Sequence, residues 1–315
     1  MPQPIPDLLL SILVCPQCGA ELLWSESHAT CAGCRTKYRR VETGSLDLRL
    51  QRPKKQSVEF QLAGASIPDD FEFNRLEFSE NPEVDFSGVQ TPWHLAPELL
   101  SYFPRACSAD SLALDLGCGT GLHRDVCERA GFNWIGLDYG SPTAPILGDA
   151  HALPYANDSI DFVLSIAVLE HIQFPAVALK EVHRVLKRGG LFIGTVAFLE
   201  PFHGNSYYHH THLGTFSSLS SAGFSVERVA PNPRWSGLVA QATMDALYPK
   251  MPHAVGRALV WPLETLHKLW WFVGGKFVAR ADDTLRLITN TGSFEFVARK
   301  GTPDSASETD TAGAH

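Results

Sequence analysis

Near the start of the chain, Cys15 with Cys18 and Cys31 with Cys34 make two CxxC pairs, with twelve residues between the pairs. Four thiolates delivered by two short knuckles suit tetrahedral zinc. A site filled by four cysteines leaves no position for water or substrate, so the expected metal is structural. Disulfides would need an oxidising compartment, and the opening MPQPIPDLLLSILVCP has neither a basic leader segment nor a small-residue cleavage site. A second chemical stretch is SLALDLGCGTG, Ser111 to Gly121, where Asp115 precedes Gly117, Gly119 and Gly121, with Cys118 among them. Glycines at such a turn permit positive φ and let a flat ligand approach the backbone closely. An apolar run precedes the turn, and a helical pattern from Leu122 to Ala130, closed at Gly131, follows it. Strand, turn and helix in that order frame a nucleoside-binding loop, while Leu122, where the dinucleotide fingerprint wants glycine, argues against a nicotinamide cofactor.

These residues, and four segments that follow in order, resemble the class I S-adenosylmethionine-dependent methyltransferases. NWIGLDYG ends a second strand in Asp138, which the resemblance makes the acceptor of the ribose hydroxyls. ILGDAHALPYANDSIDFVLSIAVLEHI resembles the third and fourth motifs, placing Asp149 and Ala150 beside the adenine and Ser165 and Ile166 under the cofactor. A helix from Pro175 to Gly189 and the strand LFIGTVA follow, then the helix-like HTHLGTFSSLSSAG, the strand FSVERV and a last strand SFEFVARK. The resemblance implies an α/β, Rossmann-like sheet of seven strands, six parallel and one antiparallel, with S-adenosyl-L-methionine as cofactor. The cysteine stretch resembles the small zinc ribbons that activate tRNA and protein methyltransferases, here fused to a catalytic domain; in that family the ribbon is structural and a partner surface.

The elements that must hold these groups divide the chain into a zinc ribbon at 1–50, a linker and active-site cap at 51–92, and a methyltransferase domain at 93–300. An insertion at 231–291 interrupts that domain, and a small, polar, acidic tail at 301–315 is expected to be disordered. Only ten residues separate Asp138 from Asp149, and Pro142 and Pro145 lie among them, so a connection without a helix is expected there. With 315 residues and 44% apolar composition, the chain is long enough for two domains.

Histidines at the carboxyl ends of strands four and five are the candidate bases: His171 in LEHI, and His209 and His210 in the cluster that also holds His203 and His212. A base is needed only if the acceptor keeps its proton, and Glu170 and His171 also shape cofactor pockets in the family. A charge of −8, from 26 basic and 34 acidic residues, argues against a dedicated nucleic-acid enzyme. Locally, Arg35 to Lys55 holds eight basic residues against Glu42 and Asp47, which is either a solvated face or an RNA contact. In the insertion, Leu263, Leu266, Trp270, Val273 and Phe277 recur at near-helical spacing, flanked by Lys268, Lys276 and Arg280. Such a helix is a core or dimer element, or lies in a membrane interface. The preferred function is methyl transfer to a small or lipid-linked metabolite, with residues 236–285 facing a membrane. RNA base methylation and a non-catalytic cofactor-binding scaffold are the alternatives. No apolar run reaches the roughly 18 residues of a membrane span. The expected location is cytoplasmic, with membrane association through the insertion.

Overall fold

A computed structural model describes residues 7–25, 27–59, 67–92, 94–244, 251–277 and 283–301. The ribbon opens with a short helix α1 (Asp7–Ile12) and an antiparallel sheet of β1 (Leu22–Trp24), β2 (His28–Cys31) and β3 (Lys37–Arg39). Two further residues, β4 (Leu46–Asp47), leave the ribbon. A short α2 (Pro97–Leu100) then precedes β5 (Leu112–Leu116), α3 (Arg124–Arg129), β6 (Asn133–Asp138), β7 (Ile146–Leu147) and β8 (Ile160–Ile166). The remainder runs α4 (Pro175–Val185), β9 (Leu186–Ala197), α5 (His212–Ala222), β10 (Phe224–Pro231), α6 (Gly237–Thr243), α7 (His253–Gly274), α8 (Asp283–Asn290) and β11 (Ser293–Lys300).

The main sheet has the order β10-β11-β9-β8-β5-β6-β7-β4. Seven of these strands form the expected six-parallel, one-antiparallel set, in which β11 runs antiparallel between β9 and β10. The eighth corrects the expected count: β4 comes from the ribbon and pairs in parallel with β7, Leu46 opposite Ile146 and Asp47 opposite Leu147. Two residues carry no readable periodicity, and their partner lies a hundred positions away.

Strands buried on both faces explain the near-continuous apolar runs. Leu112, Leu114 and Leu116 of β5 point into one core with Leu179 and Val182 of α4 and Phe216 and Leu219 of α5. Ala113 points into the other, with Leu99, Phe103 and Val126. The ribbon's Leu13, Leu22, Tyr38 and Leu48 belong to the first of these cores, so ribbon and sheet share one apolar interior. No helix lies between β6 and β7, as the two prolines require. Helix α4 ends at Val185 rather than Gly189, because Leu186 pairs with Ile160 and begins β9. Residues 67–92 wrap the flanks, where Phe71 and Phe73 meet Phe216 edge-on. Trp93, Arg280 and the tail from 302 lie outside the described residues.

Candidate active site

The loop after β5 is built around Gly119. Its φ is +52°, and a Cβ placed there would meet nothing within 4 Å, so the turn leaves an open cradle at that point. The flanking glycines serve packing: a Cβ on Gly117 would lie 2.4 Å from Val168, and one on Gly121 3.4 Å from Trp134. The amides of Gly117 and Cys118 both donate to the Leu137 carbonyl, tying the loop to the end of β6.

Asp138 completes that tie. One carboxylate oxygen accepts from the amides of Gly140 (2.9 Å) and Ser141 (2.8 Å), the other from the Gly119 amide at 3.1 Å. A carboxylate has about four acceptor sites, so one on the Gly119 side is left for a hydroxyl. Asp115 is fully buried, and its oxygens accept from His123 Nδ1 (3.2 Å) and Trp134 Nε1 (3.1 Å), so it anchors the loop from below. Cys118 is buried, and burial with Asp115 and Asp138 nearby pushes its thiol far up, which removes it as a nucleophile. Asp149 follows β7 and accepts from the amide of His151 (2.9 Å) and from its Nδ1 (2.6 Å). Burial opposes ionisation there, but the His151 bonds hold its carboxyl below the ordinary range. Ala150 opens the short turn after it.

At the carboxyl ends of β8 and β9 lies a cavity of about 370 Å³, lined from the strands by Ile166, Ala167, Thr195, Val196 and Ala197. Its other walls are residues 94–97, Glu200 and His203, and the insertion's Trp235, Met244 and Arg257. Ser165, one residue short of the rim, keeps a buried hydroxyl with no hydrogen-bond partner. Ala167 takes a left-handed φ of +54° at the rim, held by its amide bond to Thr195 Oγ1 at 3.0 Å. Ligands in open parallel sheets bind at this end.

Residues 114–194 match the methyltransferase domain family. That stretch of the chain carries a methyltransferase domain. Among curated proteins it is 33% identical over 111 residues to the mitochondrial arginine-hydroxylase NDUFAF5 of Rattus norvegicus, covering 31% of this chain and 30% of that protein. It is 29% identical over 173 residues to an uncharacterised methyltransferase of Mycobacterium tuberculosis, covering 50% of this chain and 67% of that one. The chain thus spans less than a third of the rat protein. Among solved structures, the complex between the Haloferax volcanii Trm112 methyltransferase activator and its proposed methyltransferase has a TM-score of 0.45 at 19% identity, covering 67% of this chain and 90% of that one.

Within the methyltransferase domain, the histidines chosen from sequence are scattered. His171 is half buried in the turn after β8, His209 is exposed, and His210 holds a buried Nε2 without a partner; none of the three lines the cavity. Two others do, His203 and His94. His94 Nε2 lies 2.8 Å from His123 Nε2, so Asp115, His123 and His94 form a line from the glycine loop to the cavity. Burial and the adjacent His123 pull His94 down to about 4. Sequence spacing carries no sign of this array, because His94 and His123 meet only through space.

The four ribbon cysteines converge, each offering a sulfur within 4.8 Å of the others. Cys15 and Cys34 sulfurs are 3.6 Å apart and those of Cys18 and Cys31 3.4 Å, far beyond a disulfide bond of about 2.05 Å. The knuckles repeat one geometry: Gly19 (φ +77°) and Arg35 (φ +62°) each follow a CxxC and donate their amides to Cys15 and Cys31 carbonyls. Burial pushes the Cys15 thiol up to about 12. At Cys34 burial opposes ionisation, but bonds from Thr36, Cys31 and Cys18 bring it down to about 6.

Proposed function

We propose that this protein transfers a methyl group from S-adenosylmethionine to an oxygen, nitrogen or carbon of a small apolar or lipid-linked acceptor, presented to the 370 Å³ cavity from a membrane surface. Bound cofactor supplies an electrophilic methyl on a sulfonium, so the protein's part is to align a nucleophile and exclude water. The open Gly119 cradle and the spare acceptor site of Asp138 suit a nucleoside, with Gly117, Gly121, Asp149, Ala150, Ser165 and Ile166 completing the wall. Where the acceptor carries a proton, His94 is the group to take it. Asp115 fixes His123 as its Nδ1–H tautomer and His123 Nε2 then accepts from His94 Nε2–H, which orients His94 at the cavity wall as a neutral imidazole and a weak base, since burial and His123 pull it down to about 4. Zinc suits the four cysteines, since bonds of about 2.3 Å place tetrahedral sulfurs about 3.8 Å apart. No step of the transfer runs through it.

The observation that carries the acceptor class is the orientation of α7. This helix is about 33 Å long and turns a line of Gly256, Val260, Glu264, His267 and Trp271 inward. Leu259, Leu263, Leu266, Trp270 and Phe277 point outward, Trp270 at 73% exposure and Phe277 at 83%. Lys276 sits 4.8 Å over the Phe272 ring at one flank. An apolar face turned away from its own protein, with a basic residue at its flank, is what an interfacial helix presents to lipid. Among the described residues no helix is long and apolar enough to cross a membrane. Residues of the same insertion, Met244 and Arg257, line the acceptor cavity.

RNA is less favoured, because Arg40, Arg49, Arg52 and Lys54 bond to the ribbon's own Gly44, Asp47, Thr36 and Pro16. The test is transfer of radiolabelled methyl from S-adenosylmethionine into an extract split into lipid, small polar, protein and RNA fractions. Label in lipid or small apolar material is expected. Label confined to RNA or protein would overturn the acceptor class, and cofactor binding with no label anywhere would favour the scaffold.

A further inference from the structure

Glu170, His171 and His203 each bring one ligand atom within 4.8 Å of the others, and among the described residues this is the second group, beside the four cysteines, with that property. Two loops build it. After β8 the left-handed Ala167 turns the chain into the short turn Leu169–His171, and the carbonyl of Glu170 accepts from the amides of Tyr207 (2.7 Å) and Tyr208 (3.2 Å) in the loop after β9. That clasp folds the second loop over the first and sets the His203 ring edge-on to His171, centroids 5.0 Å apart at 84°. Gly204, with φ +51°, allows the tight turn against His171.

Glu170 is fully buried, yet neither of its carboxylate oxygens has a hydrogen-bond partner. A buried carboxyl in that condition calls for an occupant. One histidine is already held as a ligand is held: His203 Nδ1 lies 3.0 Å from the Pro201 carbonyl and 3.9 Å from Glu200, while His171 is fixed by the turn it closes, its amide bonded to the Val168 carbonyl at 2.9 Å. Metal-binding imidazoles habitually use one nitrogen this way, which orients the other. His203 also lines the 370 Å³ cavity, so an ion here would keep open positions on that side.

We infer that Glu170, His171 and His203 form a divalent transition-metal site beside the cavity, which it meets at His203, separate from the cysteine cluster. Two imidazoles and one carboxylate select zinc, iron(II), cobalt(II) or manganese(II) over magnesium and calcium, which prefer all-oxygen shells. Three protein ligands leave room for water or an oxygen ligand from the cavity, unlike the closed set of four thiolates. The inference stands independently of the acceptor proposed above, because it concerns ion binding alone.

The experiment titrates cobalt(II), without oxygen, into full-length protein that has first received one equivalent of zinc. One further equivalent of cobalt should bind with visible ligand-field bands and without the near-ultraviolet thiolate-to-cobalt band that marks exchange into the cysteines. His203→Ala, at a part-exposed position, should weaken it at least about tenfold with an unchanged melting temperature, and His171→Ala should do the same. Glu170→Gln should also lose the ion, but because that side chain is buried the histidine variants decide. Failure of cobalt to bind beyond the thiolate site, or equal affinity in wild type and His203→Ala, would overturn the site.

Discussion

The methyltransferase sheet carries two additions, the ribbon at its start and the insertion between β10 and β11, and they are attached in opposite ways. The ribbon is continuous with the sheet. It contributes β4, its Val14 amide bonds the Pro154 carbonyl at 3.0 Å, the Ala156 amide bonds Ile12 at 2.8 Å, and its apolar residues lie in the main core. The insertion has a small core of its own, Trp235, Val239, Ala240, Ala242 and Val260, and α7 buries just Gly256 and Val260. Most of the ribbon's apolar side chains point into the main core, whereas most of those on α7 point outward. An addition that shares the core supports the fold, whereas one that presents apolar surface outward is shaped for something outside the molecule.

The largest effect should come from the ribbon. Zinc at four-cysteine sites contributes about 10–16 kcal/mol of apparent binding free energy. Because β4 and the core are shared, stripping the metal with a chelator should lower the melting temperature of the whole domain in a single transition. Release of the ribbon alone, with the sheet's melting unchanged, would refute the shared core.

Next is the root of the insertion. Glu295 of β11 is buried beneath Asn232, whose Nδ2 donates to it at 3.1 Å, and burial, with Glu98 nearby, pushes its carboxyl up to about 8. Folding therefore protects the proton: the folded value lies above the unfolded one, so stability is fully present in acid and is lost as pH rises from the ordinary carboxylate range to about 8. A shift of that size corresponds to roughly 3–5 kcal/mol at the top of the window. Glu295→Gln keeps the bond from Asn232 and should be more stable than wild type at pH 8.5 while matching it at pH 4.5. Parallel stability curves for the two proteins would exclude Glu295 as the source.

The parts of this architecture that could be read in advance are those whose signal is local. The strand carrying Asp115, the glycine turn, Asp138 and the helix-less link with Pro142 and Pro145 are each set by a few neighbouring residues. Contacts made through space could not be read: β4 against β7, His94 against His123, and His203 folded over His171. The spacing of Leu263, Leu266 and Trp270 announced a helix with an apolar face, but periodicity is indifferent to direction. It says that one face is apolar and not whether the protein lies on that side. What turns α7 outward is the polar Glu264 bonded to Ser236, and Gly256 seated on α6.

That seat is the next point to test. A Cβ on Gly256 would lie 2.6 Å from the Ala242 carbonyl, a backbone atom that cannot swing aside. Gly256→Val should therefore prise α7 from α6 at a cost of about 1–3 kcal/mol, read as a lowered denaturation midpoint. It should also open the cavity wall formed by Met244 and Arg257. A midpoint equal to wild type would mean that the seam is looser than its geometry.

The smallest change in stability should come from the outer face, and that is where the comparison is sharpest. Leu266 and Trp270 are 61% and 73% exposed, so Leu266→Glu with Trp270→Glu removes almost no buried contact. The expected change in folding stability is within about 0.5 kcal/mol. Carboxylates at these positions would have to enter the acyl boundary, next to anionic headgroups, so flotation with vesicles of mixed zwitterionic and anionic lipid should be lost. Unaltered stability with lost flotation would identify the face as a lipid surface. Unaltered flotation would remove the membrane from the proposal, and a large loss of stability would mean instead that the face is covered by protein, with a second copy of this chain as the simplest cover.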